Sequence, residues 1–222
     1  LTILRKTQSP VAVAGHSLGE FSALVANNTI SFEDGIKLVF LRAKAMQKSC
    51  ENTNGTMAAI LGLDDEKIKE ICTNYNGNVI AANFNCPGQV VISGEINAVK
   101  DICEVFNSLG ARRSIILPVG GAFHSSLMND AKSELKEAID STNFSEPSCP
   151  IYQNFNANKT LLISEIKNNL INQLTNPVLW TQTVNNMIND GINDFIEVGP
   201  GKVLQGLIRK INRDCSTKSA LV

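Results

Sequence analysis

The chain has 222 residues, of which 43% are hydrophobic and 18% are charged, and its net charge is −1. This composition is typical of a globular protein with one good-sized domain, or one domain with a small insert. Because no basic surplus exists to neutralise phosphates, we expect no nucleic acid partner. No apolar run approaches the roughly 20 residues of a membrane-spanning helix, so we expect no membrane partner.

Six cysteines and two histidines limit the redox and metal chemistry of the chain. No two cysteines have the Cys-x-x-Cys spacing, and several fall at apolar positions of predicted elements. We therefore expect buried, reduced thiols in a reducing compartment. With two histidines and no such cysteine pair, we expect no metal site.

The first predicted elements are a buried strand at 11–14 and a helix at 21–26, joined by Gly-His-Ser-Leu-Gly at 15–19. The Gly-x-Ser-x-Gly pattern between strand and helix is the context of a nucleophile elbow. The glycines allow a sharp turn, and the helix N-terminus favours an oxyanion formed beside it. Ser17 is therefore the candidate nucleophile, and the alternative is a glycine-rich turn with a surface serine.

A second helix begins after Ser31, a predicted N-cap that is followed by acidic residues in the first turn. The apolar stripe of this helix consists of Ile36, Val39, Phe40 and Ala43. Arg42 and Lys44 fall outside the stripe. The simplest interpretation of either is a solvated cation, which we keep for Lys44.

Residues 55–118 differ from the rest in their pattern, which predicts strands at 56–62, 79–85, 89–94 and 114–119 with a helix after the first and the third. The order β-α-β-β-α-β is that of a ferredoxin-like unit. Beyond it, helices are predicted after His124, at 163–174, around Val184 and at the basic end, with strands at 151–155 and 195–198. We therefore predict an α/β fold. An α/β-hydrolase-like core (1–54 and 119–222) carries an inserted ferredoxin-like subdomain (55–118).

An activated serine needs a base, and the candidates are His16 and His124. Adjacent side chains diverge around a sharp elbow, so His16 is expected to form hydrogen bonds beside the site. His124 lies on a glycine-rich turn, where loops deliver catalytic groups, and is the candidate base. No acid, Glu197 included, is placed convincingly to orient it, and a backbone carbonyl or an amide is the alternative. The residues alone thus predict acyl chemistry at a serine.

Seven segments resemble, in order, the malonyl-CoA:acyl-carrier-protein transacylases of type II fatty-acid synthesis, and are similar to the acyltransferase domains of polyketide synthases. They are GHSLGEFSALV at 15–25, LRAKAMQ at 41–47, MAAILG at 57–62, PGQVVISG at 87–94, GAFHS at 121–125, QLTNPVLW at 173–180 and EVGPGKVL at 197–204. Together they cover almost the whole chain.

The resemblance implies that Ser17 attacks malonyl-CoA and holds the malonyl group as an ester. It implies that His124 takes the serine proton and then activates the phosphopantetheine thiol of acyl carrier protein. Arg42 would pair with the malonyl carboxylate through two parallel hydrogen bonds, which selects malonyl over acetyl.

The resemblance also assigns supporting roles. The backbone carbonyl of Gln173 would orient His124, the Leu18 N–H would donate to the oxyanion, and Phe123 would exclude the methyl branch of methylmalonyl. No cofactor is implied other than malonyl-CoA as substrate and the phosphopantetheine of the carrier. We expect a monomer.

One family feature is absent. Members begin with a Gly-Gln-Gly-Ser-Gln segment whose glutamine supplies a second oxyanion donor, and loss of such a donor costs on the order of a hundredfold in rate. We therefore expect this chain to be a fragment of the full enzyme that is weakly active or inactive alone.

Three other functions stay open: an acyltransferase module of a polyketide synthase, a serine thioesterase or other hydrolase, and a fragment that only binds acidic carrier protein. The residues that would form a basic docking face are Lys202, Arg209, Lys210 and Arg213. A solvated face explains them equally well. Abundant asparagine in a bacterial-type enzyme suggests a plastid-like organelle (an apicoplast), with the bacterial cytoplasm as the alternative.

Overall fold

The computed structural model describes residues 9–220, which form an α/β structure with three small sheets and surrounding helices. In chain order the elements are β1 (Val13–Ala14), α1 (Gly19–Ala26), α2 (Phe32–Asn52), β2 (Gly55–Leu61), α3 (Asp65–Asn74), β3 (Val79–Cys86), β4 (Gln89–Glu95), α4 (Ile96–Ser108), β5 (Arg113–Ile116), a 3-10 turn (Ser126–Met128), α5 (Asn129–Ser141), β6 (Ile151–Tyr152), β7 (Lys159–Thr160), α6 (Ile163–Gln173), α7 (Trp180–Asn189), β8 (Asp194–Glu197), α8 (Val203–Ile211) and β9 (Ser216–Ser219). Within residues 9–220, no helix combines the length and the apolarity that crossing a membrane would require.

The first sheet positions the elbow. β1 pairs in parallel with β6, which pairs antiparallel with β7. Val13 and its partner Ile151 are buried in a core covered by α1, α2, α5 and α6. Because parallel strands end at the same edge of a sheet, the segments that follow β1 and β6 emerge side by side. Ser17 and Asn154 lie in these two segments.

The second sheet has the order β3-β4-β2-β5 with antiparallel pairs throughout. Alternate residues of its strands face opposite sides: Ala58 and Ile60 pack under α3 and α4, whereas Met57 faces Phe123. A parallel bridge between Asn83 and Val178 joins β3 to the segment after α6. This sheet therefore forms a wall beside the loop that carries His124.

Most predicted elements are present within a few residues of the expected limits, and the exceptions are short strands. The strand predicted at 11–14 begins at Val13, since Val11 is exposed. The strand predicted at 151–155 ends at Tyr152, because Gln153 and Asn154 leave the ladder to bond buried polar groups. The sequence does not predict β7 and β9, which are short, largely polar strands without apolar alternation.

All six cysteines are free thiols, as predicted; five are buried and Cys50 is half-buried. Ser31 caps α2, since its side chain accepts a hydrogen bond from the Asp34 N–H. Lys44 is exposed, as expected, but the predicted apolar stripe of α2 is wrong, since Ile36, Phe40 and Ala43 are exposed as well. The helix instead buries Leu38, Arg42, Ala45, Met46 and Ser49.

Gly55, at the start of β2, touches the loop that leads to His124. A Cβ at this position would lie 2.6 Å from the Ala122 nitrogen and 2.7 Å from the Ala122 Cβ. We expect Gly55→Ala to lower the free energy of unfolding by about 1–3 kcal/mol in urea denaturation, since strand or loop must shift. Gly206→Ala is the control: its Cβ meets nothing within 4 Å, and a helical alanine should add about 1 kcal/mol. Equal effects of the two substitutions would contradict this contact.

Candidate active site

Ser17 stands on strained backbone at the tip of the elbow, with φ +52°. A residue with a side chain enters this left-handed region at a cost of about 1–2 kcal/mol. Gly15 permits the turn, because a Cβ there would lie 2.0 Å from the carbonyl carbon and oxygen of Gly19. The two glycines of the motif therefore pack backbone against backbone and leave the Ser17 side chain outside the turn.

Asn154 holds this elbow from the neighbouring strand end. Its Oδ1 accepts from the Ser17 N–H at 2.6 Å, and its Nδ2 donates to the Gly15 carbonyl at 2.7 Å. The Asn154 side chain is buried. One amide thus satisfies the backbone on both sides of His16, and the strained conformation is fixed by two hydrogen bonds.

His124 lies within hydrogen-bonding distance of the serine. Ser17 Oγ is 2.8 Å from His124 Nε2, and His124 Nδ1 is 2.9 Å from the carbonyl oxygen of Gln173. Because a carbonyl can only accept, we assign the proton to Nδ1 and the lone pair to Nε2. The Ser17 hydroxyl therefore donates to Nε2. His124, like Ser17, has left-handed backbone, with φ +60°.

Burial sets the protonation of both histidines. It lowers the pKa of His124 to about 4; the Gln173 carbonyl opposes the shift and the Arg42 charge adds to it. Burial also lowers the pKa of His16, whose Nε2 is 2.8 Å from Asn85 Oδ1. At neutral pH the His124 imidazole is uncharged and can accept a proton from Ser17.

Arg42 projects from α2 into the site and not into solvent. It is 5% exposed, and its Nη2 donates to Ser17 Oγ at 3.0 Å. Its Nε has no hydrogen-bond partner among residues 9–220. Burial lowers the pKa of Arg42 to about 10, so the group is charged at neutral pH. A buried guanidinium with an unused N–H is equipped to bind an anion.

A cavity of ≈ 440 Å³ opens beside these groups. Its lining consists of Ser17, Arg42, Ala43, Met46, Gln47, Cys50, Met57, Asn83, Phe123 and His124. Phe123 therefore lies on the cavity wall, next to His124. The volume fits a small organic group held near the serine.

Leu18 begins the turn into α1. Its N–H makes no hydrogen bond to any described residue, whereas the N–H groups of Gly19, Glu20 and Phe21 bond to elbow carbonyls. A donor next to the Ser17 hydroxyl is thus left for a ligand oxygen.

Two buried residues of the site are missed by the sequence reasoning, Glu20 and Asn154. Glu20 is fully buried and accepts from the Asn154 N–H and the Gln173 side-chain amide. A signal for Glu20 exists, since it is the one charged residue of α1. Asn154 gives no local signal. Glu197, considered above as an acid for His124, instead accepts from the N–H groups of Leu204 and Gln205 at the start of α8.

An elbow serine, a carbonyl-oriented histidine and a buried arginine around one cavity define a class of acyl-transferring protein. The sequence profile of the family described as acyl transferase domain matches residues 5–221. The chain therefore belongs to the acyl transferase family.

Its relatives narrow the assignment. The chain is 42% identical over 217 residues to a Staphylococcus aureus (strain MRSA252) protein named malonyl CoA-acyl carrier protein transacylase, and this match covers 96% of the chain and 70% of the relative. A Vibrio cholerae acyl carrier protein S-malonyltransferase structure is 38% identical, with a TM-score of 0.95 over 99% of the chain and 73% of that protein. A malonyl-transacylase in complex with a type II polyketide synthase acyl-carrier protein is 36% identical, with a TM-score of 0.93 over 100% of the chain and 72% of the other. Within its family the chain groups with the malonyl CoA-acyl carrier protein transacylases.

The two histidines allow a direct test of the electrostatics of the site. We expect imidazole NMR signals to show no histidine that titrates near the ordinary value of 6.5, with His124 gaining its proton only near pH 4. Since an unfolded histidine protonates near 6.5, the unfolded state binds more protons between these values, and stability falls as the pH drops below about 6.5. His124→Asn assigns the signals. A folded histidine that titrates near 6.5 would contradict the burial.

The strain at Ser17 predicts a difference between two small replacements. Both Ser17→Ala and Ser17→Gly remove the hydroxyl, but glycine adopts φ +52° without the Cβ penalty. We expect Ser17→Gly to exceed Ser17→Ala in free energy of unfolding by about 1 kcal/mol in urea denaturation. If alanine is as stable as glycine at this position, the elbow is not strained.

Proposed function

We propose that the chain transfers a malonyl group from malonyl-CoA to the phosphopantetheine thiol of acyl carrier protein, through an ester on Ser17, and so supplies fatty-acid synthesis. One observation carries the proposal: a buried, charged Arg42 donates to Ser17 Oγ at 3.0 Å, and its Nε has no hydrogen-bond partner within residues 9–220. A serine nucleophile and a carboxylate-binding cation thus share one cavity. The relatives named above are called malonyl transacylases, which supports the same reaction.

In the first half-reaction, His124 Nε2 takes the Ser17 proton as Oγ attacks the thioester carbonyl carbon. The Leu18 N–H donates to the oxyanion. The tetrahedral species then collapses, the carbon–sulfur bond breaks, and the coenzyme A sulfur leaves with the proton from His124. Ser17 keeps the malonyl ester.

The second half-reaction reverses these roles. The phosphopantetheine thiol gives its proton to His124, and its sulfur attacks the ester carbonyl. The carbon–oxygen bond to Ser17 breaks, and the serine oxygen recovers the proton from His124. Malonyl-carrier protein leaves, and the site returns to its starting protonation with no cofactor consumed.

Selectivity rests on two residues that line the cavity, Arg42 and Phe123. The Arg42 guanidinium offers parallel N–H groups to the malonyl carboxylate, an interaction that acetyl cannot make. Phe123 narrows the cavity where a methyl branch would lie, which disfavours methylmalonyl. A thioesterase is less well supported, because the acid in this site, Glu20, bonds to Gln173 and not to His124.

We also propose the finer architecture: an α/β-hydrolase-like core (1–54 and 119–222) with a ferredoxin-like subdomain (55–118). The elbow between β1 and α1 supports the first part. The strand order β3-β4-β2-β5, with α3 and α4 on one face of the sheet, supports the ferredoxin-like subdomain.

Acyl carrier protein is the proposed partner, and a solved complex of a similar malonyl-transacylase with its carrier supports this. Lys202 and Arg213 are exposed and available to an acidic carrier, whereas Arg209 bonds to Thr217 and Lys210 bonds to Gln89. We infer a monomer without membrane or nucleic acid partners. The relatives named above with an organism come from bacteria, which favours a bacterial cytoplasm over a plastid-like organelle.

The function is tested by intact-mass spectrometry after brief mixing with malonyl-CoA or acetyl-CoA. We expect a malonyl adduct on the unchanged chain, even if it forms slowly, and none on Ser17→Ala. Arg42→Ala should shift the preference from malonyl toward acetyl by about 10- to 100-fold, the value of a charge-assisted hydrogen bond. Lys44→Ala, on the exposed side of α2, is the control. A malonyl adduct on Ser17→Ala, or an unchanged preference in Arg42→Ala, would refute the assigned roles.

A further inference from the structure

We infer that Glu20 is a positioning residue for acyl transfer, because it fixes Gln173 and Asn154, the two residues that hold His124 and the Ser17 backbone. This inference rests on the proposed function and adds a residue to its site. Glu20 touches neither Ser17 Oγ nor the His124 ring in the contacts of the described residues, and it acts through its two neighbours.

The contacts form one connected network. Glu20 is fully buried; its Oε1 accepts from the Asn154 N–H at 2.5 Å and its Oε2 accepts from Gln173 Nε2. The same Nε2 donates to the Ser17 carbonyl at 3.0 Å. The Gln173 backbone carbonyl accepts from His124 Nδ1 at 2.9 Å. Gln173 therefore joins both reacting residues, and Glu20 fixes its amide.

The hydrogen-bond donors around Glu20 bear on its protonation state. Both groups that face its oxygens are N–H groups, and neither can accept a hydrogen bond. The Gln173 amide cannot be reversed, since its oxygen would then face the Ser17 carbonyl, which accepts only. Both Glu20 oxygens must therefore accept, which favours the ionised carboxylate.

Burial opposes this charge and raises the pKa of Glu20 to about 8, while the bonds from Asn154 and Gln173 and the charge of Arg42 act in the other direction. With the pKa near 8, both forms of the carboxyl exist around neutral pH, and the hydrogen bonds from Asn154 and Gln173 favour the ionised one. Loss of one acceptor leaves a buried N–H unpaired. The amide of Gln173 then keeps only its bond to the Ser17 carbonyl, and the helix end that orients His124 loses one of its two anchors.

The test compares Glu20→Gln with Glu20→Asp. Glutamine keeps the size of the side chain but presents an amide NH₂ to one of two donors, whereas aspartate keeps two acceptors on a shorter stem. We expect Glu20→Gln to slow malonyl loading of Ser17 by about 10- to 100-fold, as misplaced reacting groups do. The KM for malonyl-CoA should stay within about twofold, because Arg42 and Leu18 keep their places. Glu20→Asp should recover part of the rate.

A spectroscopic signature separates positioning from simple loss of stability. In the unchanged chain, imidazole NMR should report the Nδ1–H form of His124, and in Glu20→Gln a mixture of the two tautomers. Glu165→Gln is the matched control: it removes a carboxylate from the other end of α6, where Glu165 accepts from Thr160 Oγ1. We expect this control to change neither the loading rate nor the His124 signals.

The inference and the proposed function fail in different ways. If Glu20→Gln loads malonyl at the unchanged rate, or loses rate only in proportion to unfolded protein with the His124 tautomer intact, Glu20 is not a positioning residue. Malonyl-Ser17 on the unchanged chain would still support the function. If the unchanged chain forms no malonyl-Ser17, the function fails, and the tautomer comparison still decides the role of Glu20. Should Glu20→Gln not fold, the loading rate and tautomer of Glu20→Asp decide.

Discussion

The left-handed backbone at Ser17 (φ +52°) and at His124 (φ +60°) presents the two reacting side chains, and most of the site serves to hold it. Such conformations cost about 1–2 kcal/mol each and persist where surrounding structure over-determines them. Asn154 supplies this support at Ser17, through hydrogen bonds to backbone on both sides of the elbow. At His124 the ring forms a hydrogen bond with the Gln173 carbonyl. The strained backbone of each segment is thus held by hydrogen bonds from other segments.

The buried polar groups around the site differ in how completely their hydrogen-bonding atoms have partners. Glu20, Asn154 and Gln173 are buried and bonded to one another or to the elbow, which makes them parts of a rigid frame. Arg42 is buried too, yet its Nε has no partner among the residues that the structure describes. Buried groups are normally satisfied, so an unsatisfied one points to a missing partner. The frame positions Ser17 and His124, whereas the guanidinium keeps an unused N–H that a ligand could occupy.

Much of the fold was predictable because its causes are local. The glycine spacing predicts the elbow, and Ser31 predicts the start of a helix. Alternating and helical apolar patterns predict the strands and helices of residues 55–116. Contacts between distant segments were not: Asn154 lies 137 residues from Ser17, and no local pattern connects them. Apolar periodicity also treats polar residues as solvated, which is correct for Lys44 and wrong for Arg42 and Glu20. The resemblance, and not the periodicity, singled out Arg42.

Glu20 does not contact His124 directly, because Gln173 lies between them. This arrangement suits acyl transfer between thiols. A carboxylate in contact with the ring would stabilise the imidazolium and strengthen the base, whereas His124 has a neutral carbonyl partner and a pKa of about 4. A thiol, with a pKa of about 8.5, needs far less help to lose its proton than water, whose pKa is much higher. A weak base in a buried site therefore favours an incoming thiol over water. Glu20 then contributes order without making His124 more basic, because its oxygens accept from Gln173 and Asn154.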